Sequence, residues 1–430
     1  MPNKLPQGWV ECQLKDIATV KGGKRLPAGA KYSESITNYP YIRVTNFENM
    51  TVNTNDLKYL TPEIQNKIKN YTISKEDIYI SIAGSIGKVG IIPDELDGAN
   101  LTENAAKIIH CINKKFLTFI LISIEIQNQI STYTKSTTQP KLALYRIEEL
   151  KILLPPLNEQ RRIVEKIESE FAKIDEGLEH LENAKEQIKQ YRQSVLKSAF
   201  EGKLYKTSEW EIGELKKFCL KVNKRKISNN EQEEFFYIDI SSIDNKNNIL
   251  LSATKYNGKN APSRARQIVK SEDILFSTVR TYLKNIAIVP PEYDNEIAST
   301  GFCVIRTNSN LLYSKFMFYK SLSDKFLEPL NKLQRGSSYP AVRDNDVLSQ
   351  IICIPHSIEE QKKIVEEIEK RFAVVDDVEK VVEENIEKAK QLKQSILKKA
   401  FEGRLVPQDP TDEPASTLLE KIKQERSKKK

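Results

Sequence analysis

The residues best suited to chemistry in this chain are basic and polar side chains in short loops, and they recur. "VKGGKR" places Lys21, Lys24 and Arg25 after an early apolar segment, and "KVNKRK" places Lys224, Arg225 and Lys226 at the matching point of a later one. "GSIGK" (Ser85, Lys88) has its counterpart in "VRTYLK" (Arg280, Tyr282, Lys284), and "STTQPK" (Gln139, Lys141) in "QRGSSYP" (Arg335, Ser338, Tyr339). Phosphate oxygens are contacted by Lys, Arg, Ser and backbone N–H groups, whereas base edges need Arg, Lys, Asn or Gln in two-point geometry. These loops offer both kinds. A single basic residue in a loop is usually a solvated charge, so the recurrence at matched positions carries the argument.

Motifs for catalysis are missing. The nearest approach to a phosphate-binding loop, "AGSIGKVG", has Ile82 where the first glycine belongs, and no GxGxxG, HExxH or CxxC is present. His110, His180 and His356 stand apart from one another and read as structural. The five cysteines, Cys12, Cys111, Cys219, Cys303 and Cys353, are scattered singly, as expected of reduced thiols with structural roles. We expect no catalytic residue, no metal site and no cofactor in this chain.

The elements that must position the loops emerge from an internal repeat. Residues 160–204 laid on 361–405 without a gap give 22 identities in 45 positions, at an offset of 201 residues. "QSVLKSAFEGKL" over "QSILKKAFEGRL" is one part of that match. Upstream the same offset is fainter, with Trp9 on Trp210 and Leu14 on Leu215. The chain is thus a divergent segment and a similar rod, written twice.

In the rods Ile163, Ile167, Phe171, Ile174, Leu178, Leu181, Ile188, Tyr191, Val195 and Ala199 recur at helical spacing. Ile364, Ile368, Phe372, Val375, Val382, Ala389, Leu392, Ile396 and Ala400 repeat the stripe. Asn158 is the expected N-cap of the first rod, and Gly202 and Gly403 the left-handed residues that end the two helices. About 42 helical residues make a rod of roughly 60 Å. Its apolar stripe needs a partner, and the other copy, running antiparallel, is the nearest. The divergent segments carry short β-branched runs such as "YPYIRVT", "DIYISIA", "DILFSTV" and "GFCVIRT", followed by helical stretches ("KKFLTFILISIEIQNQIST", "SKFMFYKSLSDKFLEPL"), and so predict α+β domains. The expected divisions are 1–155, 156–205, 206–355, 356–405 and 406–430.

The net charge of +8 is concentrated between the rods: residues 1–155 hold 19 Lys and Arg against 15 Asp and Glu, and residues 206–355 hold 22 against 17. A polyanionic partner fits that distribution. No run approaches the roughly 18 apolar residues of a membrane span, and the N-terminus lacks the pattern of a signal peptide. We therefore expect a cytoplasmic protein that contacts no membrane.

Taken together, "LLPPLNEQRRIVEKIE", "QSVLKSAFEGKL", "IPHSIEEQKKIVEEIE", "SILKKAFEGRLVPQDPTDEPASTLLEKI" and the opening "LPQGWVECQLKDI" resemble the specificity subunit of Type I restriction–modification systems. The resemblance covers essentially the whole chain; the second junction is one residue longer than the first. It implies two target recognition domains (1–155 and 206–355), each reading one half of an asymmetric bipartite site in double-stranded DNA. The rods would be conserved spacers that set the gap and dock two methyltransferase subunits, and the tail 406–430 would add to that contact. Restriction or motor subunits would join through the complex. S-adenosylmethionine, ATP and Mg would be bound by the partner subunits, which methylate adenine N6 or cleave. Half-site centres about one helical turn apart, roughly 34 Å, would let both domains meet one face of the duplex. A fused nuclease or methyltransferase would need an NPPY-type or carboxylate–lysine site, and neither is visible. A protein-binding coiled-coil scaffold would instead show no salt-dependent retention on DNA.

Overall fold

A computed structural model describes residues 5–134, 140–207, 209–227 and 234–428. The chain forms two compact units, one built from Met1–His180 with Asn385–Lys430 and the other from Leu181–Glu384. Two helices of 44 residues, Leu157–Phe200 and Ile358–Phe401, contribute their beginnings and ends to different units. None of the helices among the described residues is long and apolar enough to cross a membrane.

Each unit repeats the same topology. In the first, one sheet has the order Ala18–Gly22, Ala105–His110, Ile78–Ser81, Val89–Ile91, all antiparallel. A second has Lys58–Tyr59, Pro40–Ile42, Ala99–Leu101, Thr72–Ile73, with one parallel pairing between Pro40–Ile42 and Ala99–Leu101. The second unit reproduces both orders. Its sheets run Cys219–Leu220, Phe302–Thr307, Ile274–Ser277, Ile286–Ile288 and Thr254–Asn257, Glu234–Ile238, Ile297–Ser299, Ala265–Ile268. The expected α+β class follows directly from these mixed sheets and their helices.

In both units the first strand (Val10–Gln13, Trp210–Glu214) pairs with the strand leading into a long helix (Lys151–Leu154, Ile351–Pro355), so each domain is closed at the root of that helix. The helical stretches are broken rather than continuous. Lys114–Leu121 and Ile124–Thr134 are separated at Ser123, and Ser314–Leu322 and Asp324–Leu333 at Ser323. Both serine hydroxyls donate back to a carbonyl three residues earlier, Ile120 and Lys320 respectively, which offers the backbone an alternative to continuing the helix.

The long helices pass antiparallel to each other within each unit. In the first unit Ile163, Ile167 and Phe171 are buried with Ile396, Leu397, Ala400 and Phe401. In the second, Val195, Leu196, Ala199 and Phe200 are buried with Ile364, Val365 and Ile368. The repeat persists to single contacts. Lys393 reaches Asp175 at 2.5 Å and lies over the Phe171 ring, while Arg192 reaches Asp376 at 2.5 Å and lies over Phe372. Phe116 meets Phe401 edge to face as Phe316 meets Phe200, and Lys115–Glu168 is matched by Lys315–Glu369. A domain helix therefore grips the beginning of one long helix and the end of the other.

Of the stripe expected from spacing, Leu178, Leu181 and Phe372 are partly buried and Val382 is buried. Tyr191 and Leu392, at equivalent positions, are about half exposed, and Leu196 and Leu397 are buried in their place. Near its ends each helix is covered by a domain as well as by its partner, so the buried face turns away from the simple stripe. The end caps behave as expected. Gly202 and Gly403 have φ of +74° and +69°, and Lys203 and Arg404 donate their N–H to Ser198 and Lys399, closing Schellman turns. Asn158 is a correction: the first helix begins at Leu157, so Asn158 lies inside the first turn and accepts from Arg161. Pro156, with its fixed φ, leads directly into the helix. Ser357 occupies the cap position of the second helix, its hydroxyl accepting from the Glu360 N–H.

The tail folds as the helix Ala415–Lys428, with Ala415, Leu419 and Ile422 buried in the core of the first unit. Ala415 N–H donates to the Gly8 carbonyl, Arg162 pairs with Asp412 at 2.6 Å, and Arg426 donates to the Lys15 carbonyl.

Candidate nucleic-acid interface

Strand register decides which loops meet. In the first unit Gly22 pairs with Ala106, Ala105 with Ser81, and Ile80 with Val89. The segments 23–26, 102–104 and 82–88 therefore leave the sheet at one edge, and a bridge from Ala83 to Lys141 adds the segment after 140. Lys21, Lys24, Arg25, Ser85, Lys88 and Lys141 all lie at this edge. Gln139 lies outside the described residues. In the second unit the register of Leu220 with Arg306, Ser277 with Phe302 and Phe276 with Ile286 does the same for 221–227, 299–301 and 278–285. The bridge from Val279 to Ala341 adds residues 335–342. Lys224, Arg225, Lys226, Arg280, Tyr282, Lys284, Arg335, Ser338 and Tyr339 are thereby gathered at one edge of that sheet.

The side chains differ in what they already hold. Arg25 pairs with Glu103 at 2.6 Å. Burial pushes the Glu103 carboxyl up most strongly of any single influence, but the hydrogen bonds from Arg25, Thr102 and the backbone, with the Arg25 charge, together hold the group below its ordinary value. Lys24 sits 5.3 Å from the Tyr71 ring centroid. The Lys88 ammonium donates to the Phe47 carbonyl, and Lys284 reaches Asp324 at 3.0 Å and the Leu322 carbonyl, so both tie loops to their own domain. Arg335 pairs with Asp346, whose carboxyl is lowered chiefly by that hydrogen bond. Lys224 stands 3.9 Å from Asp344, a carboxyl raised by burial against the pull of that lysine. Lys21, Lys141 and Lys226 are exposed. Tyr282 and Tyr339 are exposed aromatic rings, at 52% and 73%.

Two sets of residues escaped the reading by spacing. In the second unit Arg264 and Arg266 are exposed beside the same loops: Arg225 N–H donates to the Arg266 carbonyl and Thr300 N–H to the Arg264 carbonyl. "PSRAR" has no counterpart in the first half, so a search for repeated positions passes over it. In the first unit a groove of about 720 Å³ is lined by Arg25, Lys31, Tyr32, Tyr41, Arg43 and Asn104, among others. Tyr32 and Tyr41 sit with ring centroids 5.7 Å apart, and Arg43 is anchored to Asp56. Tyr41 is buried and donates its hydroxyl to the Lys24 carbonyl, so it backs the exposed Tyr32 ring, which, with the guanidinium and amide groups beside it, is able to stack on a base and donate to base edges.

A further pair of residues is structural. Gln361 is fully buried where the second long helix begins; its amide donates to the Leu311 and Pro355 carbonyls and its oxygen accepts from Tyr313 N–H. Gln160 does the equivalent with Pro155 and Asn113. These are the glutamines of "NEQ" and "EEQ", and they fix domain to helix.

Two mixed-sheet domains of one topology, each presenting basic and aromatic loops at one sheet edge and gripping paired helices, define a duplicated recognition protein. A family model, the Type I restriction modification DNA specificity domain, matches residues 6–190 and again 207–388, and the chain belongs to that family. It is similar to the Type I restriction enzyme EcoKI specificity subunit of Escherichia coli (strain K12), with 26% identity over 465 residues, covering 99% of this chain and 97% of that one. It is also similar to the putative type I restriction enzyme MjaX specificity subunit of Methanocaldococcus jannaschii, at 27% over 429 residues, with 94% and 95% covered. Among solved structures, a chain described under "complex assembly and conformational transition of the type I R-M system" shares the fold with a TM-score of 0.68 at 19% identity. That match covers 94% of this chain and all of the other. The chain is thus a DNA-specificity subunit of the Type I restriction–modification class.

Proposed function

We propose that each unit's loop edge reads one half of an asymmetric, bipartite site in double-stranded DNA, and that the two long helices set the gap between the halves. The observation that supports this best is the same topology used twice with different side chains on matched loops: Gly84 and Lys141 of the first unit hold the places taken by Arg280 and Ala341 in the second. One topology with divergent tips makes two different readers. The chain itself carries no catalytic group and binds no cofactor in this reading. Two methyltransferase subunits supply S-adenosylmethionine chemistry at adenine N6, and restriction subunits supply ATP- and Mg-dependent cleavage, all in the cytoplasm. The methyltransferase subunits dock on the long helices, where an apolar groove lined by Ile188, Tyr191, Val374, Val375 and Val378 lies within the second unit. The charged outer face of the tail helix adds to that contact.

The test removes seven residues from each long helix, 177–183 and 378–384, in the assembled methyltransferase complex. Seven helical residues span about 10 Å, which is about three base pairs at 3.4 Å each. The unspecified gap of the methylated motif is expected to shorten by about that number with both half-sites unchanged. An unaltered gap in an active variant contradicts the spacer role.

A further inference from the structure

The loop that follows the strand Ile274–Ser277 carries an unusual residue for its backbone. Arg280 has φ +49°, in the left-handed region. The equivalent residue of the first unit is Gly84, φ +72°. The equivalence is fixed by hydrogen bonds: Leu142 N–H donates to Ile82 and Val342 N–H to Thr278, with bridges Ala83–Lys141 and Val279–Ala341 next in line. One loop conformation thus takes its natural residue, glycine, in one half and an arginine in the other. A side chain held in that region is costly and persists where it serves a purpose. Lys284, φ +53°, also sits in the left-handed region, but its ammonium has a structural task against Asp324 and Leu322. Arg280 is different.

The Arg280 guanidinium lies over the Tyr339 ring, 5.0 Å from its centroid, and Nη2 donates to the Ser338 carbonyl at 3.0 Å. Arg280 N–H donates to Pro340, which pins the segment 338–340 against the loop. The segment is itself closed by reciprocal bonds between Arg335 and Ala341. Among the described residues Nε is buried with no acceptor, and Nη1 has none. The position therefore carries a strained backbone and an unsatisfied N–H, with Nη2 held by the Ser338 carbonyl and Nη1 without a partner among the described residues. The fork rests over the ring of a tyrosine that is itself 73% exposed.

We propose that Arg280 is a specificity-determining residue of the second unit: its Nη edge donates to O6 and N7 of a guanine in the half-site which that unit reads, and Tyr339 holds the guanidinium in plane. This rests on the DNA-reading function proposed above. Arginine donating end-on matches the two acceptors that guanine presents in the major groove. Stacking on Tyr339 removes the rotational freedom that an exposed arginine otherwise loses on binding. The first unit, with glycine at this position, reads its half-site by other contacts.

The test compares the methylated motif of the wild-type complex with that of Arg280→Gly, read as N6-methyladenine across a genome. Glycine suits the backbone here, so the variant is expected to unfold at no lower temperature than the wild type. One guanine position in one half-site is expected to become degenerate, its discrimination falling at least about 10-fold, while every other position and the gap stay fixed. Tyr339→Ala is expected to relax the same position and no other. A wild-type bipartite motif without guanine in either half, or an Arg280→Gly motif identical to the wild type, overturns the assignment and leaves the bipartite reading intact. Uniformly weaker methylation with an unchanged motif and a shallower salt dependence makes Arg280 a phosphate contact instead, and also overturns it. If the wild-type complex yields no bipartite motif, the functional reading itself fails and takes this assignment with it.

Discussion

Lys320→Met is expected to stabilise the second unit by about 3 kcal/mol at neutral pH. Lys320 lies on the helix Ser314–Leu322 and is buried, with its ammonium 4.6 Å from the centroid of the Phe200 ring. The equivalent position in the first unit is Ile120, also buried. Burial pushes the Lys320 ammonium down to about 8. Against a free lysine near 10.5 that corresponds to roughly 3 kcal/mol. The sign follows from proton linkage. Below pH 8 both folded and unfolded chains carry the charge, so the penalty is complete. As pH rises from about 8 towards 10.5, the folded chain releases the proton while the unfolded chain keeps it, and stability recovers. The difference between the variant and the wild type should therefore be largest at pH 7 and shrink steadily by pH 10, as read by urea midpoints at several pH values. A variant less stable at pH 7, or a difference independent of pH, contradicts this account.

Gln361→Met is expected to lose about 3 to 4 kcal/mol, because it keeps the volume but leaves the Leu311 and Pro355 carbonyls and the Tyr313 N–H without partners. Each such buried group costs about 1 to 3 kcal/mol. The second unit should open earlier in hydrogen exchange, first at the junction of Ile351–Pro355 with the long helix, while the first unit is unchanged. Gln160→Met is expected to lose less, since its bond from Asn113 is long, at 3.4 Å. Equal losses at the two positions, or no loss at Gln361, would remove these glutamines as the clamp between domain and helix.

The parts of this molecule that were legible in the sequence are those set by local chemistry. Periodic apolar residues gave the long helices, Gly202 and Gly403 their ends, and β-branched runs the strands; the offset of 201 residues gave the repeated topology. Tertiary wrapping was not legible. Tyr191 and Leu392 fit the stripe but are turned outward, because near their ends the helices are covered from a second side. Asn158 has the right residue type for a cap, but the proline pair places the helix start two residues earlier than that cap requires, at Leu157. The serines that break the domain helices at 123 and 323 are helix-compatible residues whose back-bonding shows only in three dimensions.

For the loops, residue type and recurrence located the edge but not its members. Arg264, Arg266 and Arg43 arrive there through strand pairing between segments far apart in sequence, which no local pattern records. Lys88 and Lys284 look in the sequence like free cations, yet each is bonded to its own domain. Gln160 and Gln361 were visible as part of a repeated motif, but their bonds to Pro155 and Pro355 and to the domain helices define their role.

The most direct test of the central claim is to co-express the chain with its methyltransferase subunit and map N6-methyladenine across the host genome by single-molecule sequencing. One asymmetric motif of two different half-sites, separated by a gap of constant length and free sequence, is the expected result. A stable subunit complex that methylates no such motif would contradict it, leaving the long helices as a scaffold and the loop edges without the reading function assigned to them.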